Sequence, residues 1–408
     1  MLKKFLKNLE PSSTLKINEI SKKLEKKGEK IFKFGFGQSP FEIPLQIVNE
    51  LKLNASRNKY LPMQGLSNLR EAIAKSISIK KKQNYDSEDI IVGPGSKELM
   101  FLLQILFDGD ILLPTPSWVS YAPQAIIGRN KIKTLNTKRE NNWFPTADEI
   151  EKQIKKNTKK NYLLFLNSPN NPSGMICENL LEISKITKKY KLTILSDEIY
   201  SELSFEKKYQ SISDYCPEDT IISTGLSKWC GAGGWRLGYF VIPKSLKKIK
   251  DSLNILASET FSAVSSPIQY AAIKAYELNH TEYINSSKKI LGYIGKYVFK
   301  NLNSNKILVS QPQGGFYIMP EFLTSKFKTS SEMCADILKK TGVLLLPGSD
   351  FGFDKKKMIV RLSFTDFDGK NFMSEYEKNQ NIDDELIKKM APKIVEGINR
   401  LKKWSEAI

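Results

Sequence analysis

The sequence is poor in histidine, cysteine and arginine. His280 is its only histidine, which all but excludes His-ligated metal centres and Ser-His-Asp triads. Its four cysteines, Cys177, Cys216, Cys230 and Cys334, show no C-x-x-C spacing. No disulfide framework and no metal site are therefore expected, and a reducing compartment is. No apolar run approaches the roughly 18 residues of a membrane span. The basic start, Met1-Leu2-Lys3-Lys4-Phe5-Leu6, lacks a long apolar stretch and a small-residue cleavage site. It reads as an arm rather than a signal peptide, and a cytoplasmic protein without a membrane partner is expected.

Arginine is scarce even though the net charge is +19. Seven of the 63 basic residues are arginine: Arg57, Arg70, Arg129, Arg139, Arg236, Arg361 and Arg400. Nucleic-acid readers lean on arginine forks, whereas here lysine is scattered along the chain. Runs such as Lys80–Lys82 and Lys355–Lys357 read as solvated faces, so no nucleic-acid partner is expected. Nucleotide loops are also missing. Gly231-Ala232-Gly233-Gly234-Trp235-Arg236 places an arginine where a dinucleotide loop needs its third glycine. The segment Val92–Glu98 fails in the same way, and no P-loop pattern exists.

What is present is an ordinary globular composition, 40% hydrophobic and 26% charged over 408 residues. That length suits about two domains and a large core. From residue 90 short apolar runs alternate with amphipathic stretches. Ile90–Val92, Ile111–Leu113, Tyr162–Leu166, Thr193–Leu195, Thr220–Ile222 and Leu237–Ile242 read as buried strands. Ser96–Phe107 and Glu178–Tyr190 read as helices between them. This alternation predicts an α/β fold with a mostly parallel sheet covered by helices, and ligands bind beyond the carboxyl ends of such strands. A long helix is predicted from about Thr281 to Asn303. Beyond it, runs at Phe316–Ile318, Val343–Leu346 and Ile359–Ser363 predict a smaller α+β domain. The expected division is 46–290 for the large domain and 291–408 for the small one. Residues 1–45 form an arm and part of the small domain.

Several polar residues fall where predicted strands end. Lys228 follows Ile221-Ile222 and precedes a Gly-rich turn that carries Arg236. Asp197 closes the run Thr193–Leu195 and Tyr200 follows it by three residues. Asn171 lies in Asn167-Ser168-Pro169-Asn170-Asn171-Pro172. Each alone has a bland reading as a solvated lysine, a helix cap or a turn. Together at successive strand ends they converge on one crevice.

The order of motifs closely resembles the class I/II aminotransferases, aspartate aminotransferase-like fold type I enzymes that use pyridoxal 5′-phosphate (PLP). The resemblance runs from about Phe34 to Phe364. It is carried by Phe34-Gly35-Phe36-Gly37, Tyr60-Leu61-Pro62-Met63-Gln64-Gly65 with Leu69-Arg70, Gly95-Ser96-Lys97, Pro116-Ser117-Trp118, Asn171-Pro172, Asp197-Glu198-Ile199-Tyr200, Ser227-Lys228, Gly234-Trp235-Arg236 and Val360-Arg361-Leu362-Ser363. It implies a seven-stranded sheet in the large domain.

The resemblance also implies roles. Lys228 would carry PLP covalently and move protons, and Asp197 would face the pyridine nitrogen and keep it protonated. Asn171 and Tyr200 would donate to the phenolic oxygen. Gly95, Ser96 and Lys97 would hold the phosphate at a helix start, with Arg236 as a fork. Trp118 would stack on the ring. Arg361 would bind the substrate carboxylate, assisted by Gly37 and Asn171. Tyr60 would reach the phosphate of a neighbouring subunit, which implies a homodimer. The expected substrates are an L-amino acid, with aspartate or a broad range leading, and a 2-oxo acid.

The chain departs from the pattern at three places. Gly225 stands where some members carry serine, leaving Thr224 or Ser227 as substitutes. Gln38-Ser39-Pro40 replaces a Glu-Pro-Asp beside the substrate side chain. No second arginine is placed for a dicarboxylate, since Arg129 and Arg139 lie outside the matched motifs. The same residues could run a C–S β-lyase reaction, and a catalytically inactive binding or regulatory protein is the alternative of another class.

Overall fold

The computed structural model describes residues 9–205 and 209–408. The basic start Met1–Leu6 lies outside the described residues. Seven strands build one sheet: β1 (Ile90–Gly93), β2 (Asp110–Thr115), β3 (Ile132–Asn136), β4 (Tyr162–Asn167), β5 (Thr193–Asp197), β6 (Thr220–Gly225) and β7 (Gly238–Val241). Their order across the sheet is β1-β7-β6-β5-β4-β2-β3. The two pairings of β7 are antiparallel and the remaining pairings are parallel.

Helices cover both faces. Ile90 and Val92 point into a core shared with the helices Ser67–Lys81 and Ser266–Glu277. Ile91, between them, points into the opposite core with the helices Ser96–Leu106 and Lys247–Thr260. Two-sided burial is why these strands read as continuous apolar runs, and β4 is buried at all six positions. The predicted strands therefore form, within a residue or three at each end.

Within this sheet, the strand absent from the sequence reading is β3. It lies at the sheet edge and pairs with β2 alone. Only Leu135 of its five residues is buried. An edge strand in this position needs no apolar run, so composition did not reveal it.

A second core gathers Phe32, Phe34, Ile294, Val298, Phe316, Val360 and Trp404. Five short strands accompany it: β8 (Ile307–Leu308), β9 (Tyr317–Ile318), β10 (Glu321–Phe322), β11 (Leu346–Pro347) and β12 (Val360–Ser363). β11, β12 and β9 form an antiparallel sheet with β12 in the middle, and β10 pairs with β8. The N-terminal segment joins this core through a bridge between Phe32 and Val343.

The helix Thr281–Leu302 runs unbroken across residue 290. Ile284 near its start packs on the large-sheet side, and Ile290, Ile294 and Val298 pack on the second core. We propose that this helix is the joint between the two domains.

Candidate active site

Three glycines lie abreast where β1, β7 and β6 meet, with Gly238 paired to Gly93 on one side and Gly225 on the other. A Cβ on Gly238 would collide with the amide nitrogen of Ser96. The bare backbone row lets the helix Ser96–Leu106 begin directly over the sheet. Its N-cap, Gly95, has φ 86°, a conformation that glycine adopts without cost. No side chain caps this helix start. The guanidinium of Arg236 closes over Gly95, and its Nη1 donates to the Gly233 carbonyl at 3.0 Å. An uncapped helix N-terminus beside an arginine is a cradle for an anion.

The cradle forms one end of a cavity of about 530 Å³ at the carboxyl edge of the sheet. Ten predicted residues line it: Gly37, Ser96, Lys97, Trp118, Asn171, Asp197, Tyr200, Lys228, Arg236 and Arg361. Gly95 sits just behind as the helix cap. Tyr60 is not brought in with them; it is 93% exposed. Tyr200 differs in detail from its predicted place in a helical turn, since it caps a short 3₁₀ segment, Ser201–Leu203. Of the candidate substitutes for serine at 225, Ser227 lines the cavity, while the Thr224 hydroxyl donates to the Glu198 carbonyl at 3.4 Å.

Asp197 ends β5 and is buried. Burial pushes its carboxyl up to about 6, opposed by donation from the Tyr121 hydroxyl to Oδ2 at 2.6 Å and from the Ile199 amide to Oδ1 at 3.3 Å. Lys228 Nζ donates to the Gly37 carbonyl at 3.1 Å and lies 5.3 Å from the Phe316 ring centre and 5.5 Å from that of Tyr200. Enclosure by protein pulls its ammonium below the ordinary lysine value, and the positive charges of Arg361 and Arg236 act in the same direction. A lysine so placed yields the neutral amine more readily.

Arg361 sits on β12, 1% exposed. Its Nη1 donates to Asn171 Oδ1 at 3.0 Å and its Nη2 to the Gly35 carbonyl at 2.5 Å. Both partners are neutral oxygens, and its buried Nε has no partner. A buried cation with an unmatched donor, facing a cavity, suits a carboxylate ligand. Because Asn171 Oδ1 is taken by Arg361, its amide N–H groups are the ones left to donate into the cavity.

The sequence reading did not single out Tyr121, Tyr317 or Asn167 as functional. Tyr121 lies one turn beyond Trp118, at a ring separation of 5.4 Å, and that spacing was the available signal. Asn167 ends β4; its Oδ1 accepts from the Asn171 amide at 2.7 Å and its Nδ2 donates to the Asp197 carbonyl at 2.9 Å. It ties two site loops together. Thr14 and Leu15, from the helix Ser13–Lys26, also reach the cavity, with no signal in the sequence.

The family model described as aminotransferase class I and II matches residues 29–371. The aspartate aminotransferase of Thermotoga maritima is 30% identical over 373 residues, 89% of this chain and 94% of that protein. The aspartate aminotransferase of Geobacillus stearothermophilus is 32% identical, with coverage of 89% and 94%. Among solved structures, an alanine aminotransferase from Pyrococcus furiosus superposes with a TM-score of 0.85 at 27% identity, covering all of both chains. A mostly parallel sheet with a cavity at its carboxyl edge that gathers charged side chains thus defines an α/β enzyme of the aminotransferase fold. The chain belongs to the class I and II aminotransferases. It is a transaminase, acting on amino and oxo acids.

Proposed function

We propose that the cavity binds PLP and that the enzyme moves an amino group from an L-amino acid, aspartate first among candidates, to a 2-oxo acid. The observation that carries this reading is the meeting of Lys228, Asp197 and Arg361 in one cavity with an anion cradle at its end. The donor set fits the cofactor. Ser96 and Arg236 suit its phosphate, Asp197 its ring nitrogen, Trp118 its ring face, and the amide of Asn171 and the hydroxyl of Tyr200 its phenolic oxygen.

When bound, PLP supplies an electron sink for charge developing at the substrate Cα. The chain's residues do the rest. Arg361 grips the substrate carboxylate with its unmatched Nε and one Nη, which orients the Cα–H bond. Lys228 Nζ, whose ammonium is pulled below the ordinary lysine value, takes the Cα proton in its neutral form and returns it within the site. Asp197, kept ionised by Tyr121 and the Ile199 amide, holds a proton on the group it faces. Lys97, expected at the phosphate, lines the cavity with its Nζ 5.4 Å from the Trp118 ring centre, and among the described residues no arginine beyond Arg236 and Arg361 lines it to meet a second carboxylate. Arg139 is engaged elsewhere, with Glu321 at 2.5 Å. The names of the Thermotoga maritima and Geobacillus stearothermophilus relatives support aspartate as donor, whereas the Pyrococcus furiosus neighbour is named for alanine. The Tyr60 side chain, exposed on one chain, supports a homodimer in which it completes the partner's site. A cytoplasmic location remains our reading; no described helix is long and apolar enough to cross a membrane.

The test is the visible spectrum of the purified protein with PLP, followed while amino acids are added singly. Loss of the cofactor band with one donor, restored by a 2-oxo acid, is expected. Lys228→Ala should abolish both changes. Release of ammonia and pyruvate from a β-substituted amino acid, with no lasting spectral change, would replace transfer by elimination.

A further inference from the structure

Tyr317, on β9, touches three working parts of the site. Its ring lies against the Arg361 guanidinium, 4.5 Å from Cζ to the ring centre. Its hydroxyl accepts a hydrogen bond from the Tyr200 hydroxyl at 3.2 Å. It also fills the space over Gly37, where an added Cβ would strike it, and the Gly37 carbonyl holds Lys228. The side chain is 2% exposed and lines the cavity.

Two hydroxyls facing each other carry two protons, and their mutual bond uses one. In the structure that proton is the one on Tyr200. An anionic oxygen in the cavity competes for it. The pair then reverses: Tyr317 donates to Tyr200, and Tyr200 donates to the anion. A hydroxyl that accepts a bond donates a stronger one. The ring acts separately. At 4.5 Å from Cζ, with the Phe351 ring at 5.0 Å from the same carbon, it packs against the guanidinium and restrains the direction in which its unmatched Nε points.

We propose that Tyr317 is a positioning residue with two separable effects. Its hydroxyl strengthens the Tyr200 donor, and its ring restrains the direction of the Arg361 fork. This rests on the PLP aminotransferase reading above. It adds a residue that no sequence motif indicated.

Two variants separate the effects. In Tyr317→Phe the ring stays and the hydroxyl goes. The pH midpoint of the bound cofactor's visible absorbance should rise by about half a unit or more, since one hydrogen bond is removed from the relay. The KM for amino acid and for 2-oxo acid should stay within about twofold, because the fork is untouched. In Tyr317→Leu the ring goes as well, and both KM values should rise about tenfold or more. A merely structural tyrosine would lower the melting temperature and move neither quantity. An unchanged midpoint in the Phe variant, or unchanged KM values in a folded Leu variant, overturns the proposal. Should the Leu variant fail to fold, the midpoint of the Phe variant decides. The wild-type protein is measured first. Absence of any cofactor band there defeats the reading on which this one rests, whereas a normal band with an unmoved midpoint defeats this inference alone.

Discussion

The hydroxyl of Tyr121 donates to Oδ2 of Asp197 at 2.6 Å, across 76 residues of chain. Both groups are buried. Burial raises the Asp197 carboxyl, and with the Tyr121 bond in place it stands at about 6. In Tyr121→Phe this support is lost and the carboxyl should titrate higher still. Infrared absorption of the carboxyl, followed against pH in the cofactor-free protein, checks the shift. PLP affinity near neutral pH should fall about tenfold or more, the worth of one hydrogen bond to a charged group.

The same carboxyl makes stability depend on pH. Its ordinary value of 3.8 is raised to about 6 in the folded protein. The folded protein then keeps a proton that the unfolded chain has released. Stabilisation is full below about pH 4 and is lost as pH rises through about 6. Between about pH 5 and about pH 8 the loss amounts to about 1.5 kcal/mol. Urea unfolding of the cofactor-free protein measures it, and Asp197→Asn should remove that part of the slope. Identical slopes in the two proteins would contradict the assignment.

Arg361→Lys keeps a cation but removes the fork. A lysine cannot reach Asn171, Gly35 and a ligand carboxylate together. The ratio kcat/KM should fall about 100-fold for both amino acid and 2-oxo acid, with most of the loss in KM. A loss confined to one substrate would argue that Arg361 serves a side chain rather than the shared carboxylate.

Gly95→Ala places a Cβ against Arg236 Nη2 and forces a left-handed backbone angle on alanine. With ψ at 150° this is a region essentially confined to glycine, and the strain should cost about 1–3 kcal/mol of stability. Arg236 is exposed and can swing aside, so the fold survives while the cradle opens. Equilibrium dialysis should show PLP binding weakened about tenfold.

Tyr60 allows a test of assembly. Tyr60→Ala and Lys228→Ala each damage every site in their own homodimers. If Tyr60 serves the neighbouring subunit, a mixed dimer concentrates both defects in one site and leaves the other intact. Mixing the two variants under exchanging conditions should recover activity toward about a quarter of wild type, the share expected from random pairing with one good site in half of the dimers. No recovery, with exchange verified by mass, would place Tyr60 in its own subunit's site or in none.

The sequence by itself determined the class of fold and most of the cavity. Buried parallel strands demand apolar runs, as β4 illustrates, and anion cradles and carboxylate forks demand particular residue types at strand ends. Those demands are local, so Asp197 and Lys228 could be read at strand ends, while Gly95 and Arg361 were read through the resemblance to the aminotransferases. The tertiary structure alone decided which distant groups meet. β3 was hidden because an edge strand has one neighbour and little burial. Tyr121 and Tyr317 were not singled out because their partners, Asp197 and Tyr200, lie 76 and 117 residues away. Such meetings depend on sheet order and on the seating of β9 and β12 beside the large sheet. Hydrophobic period and turn chemistry report only a residue's near neighbours, so they carry no trace of a hydrogen bond made across the fold.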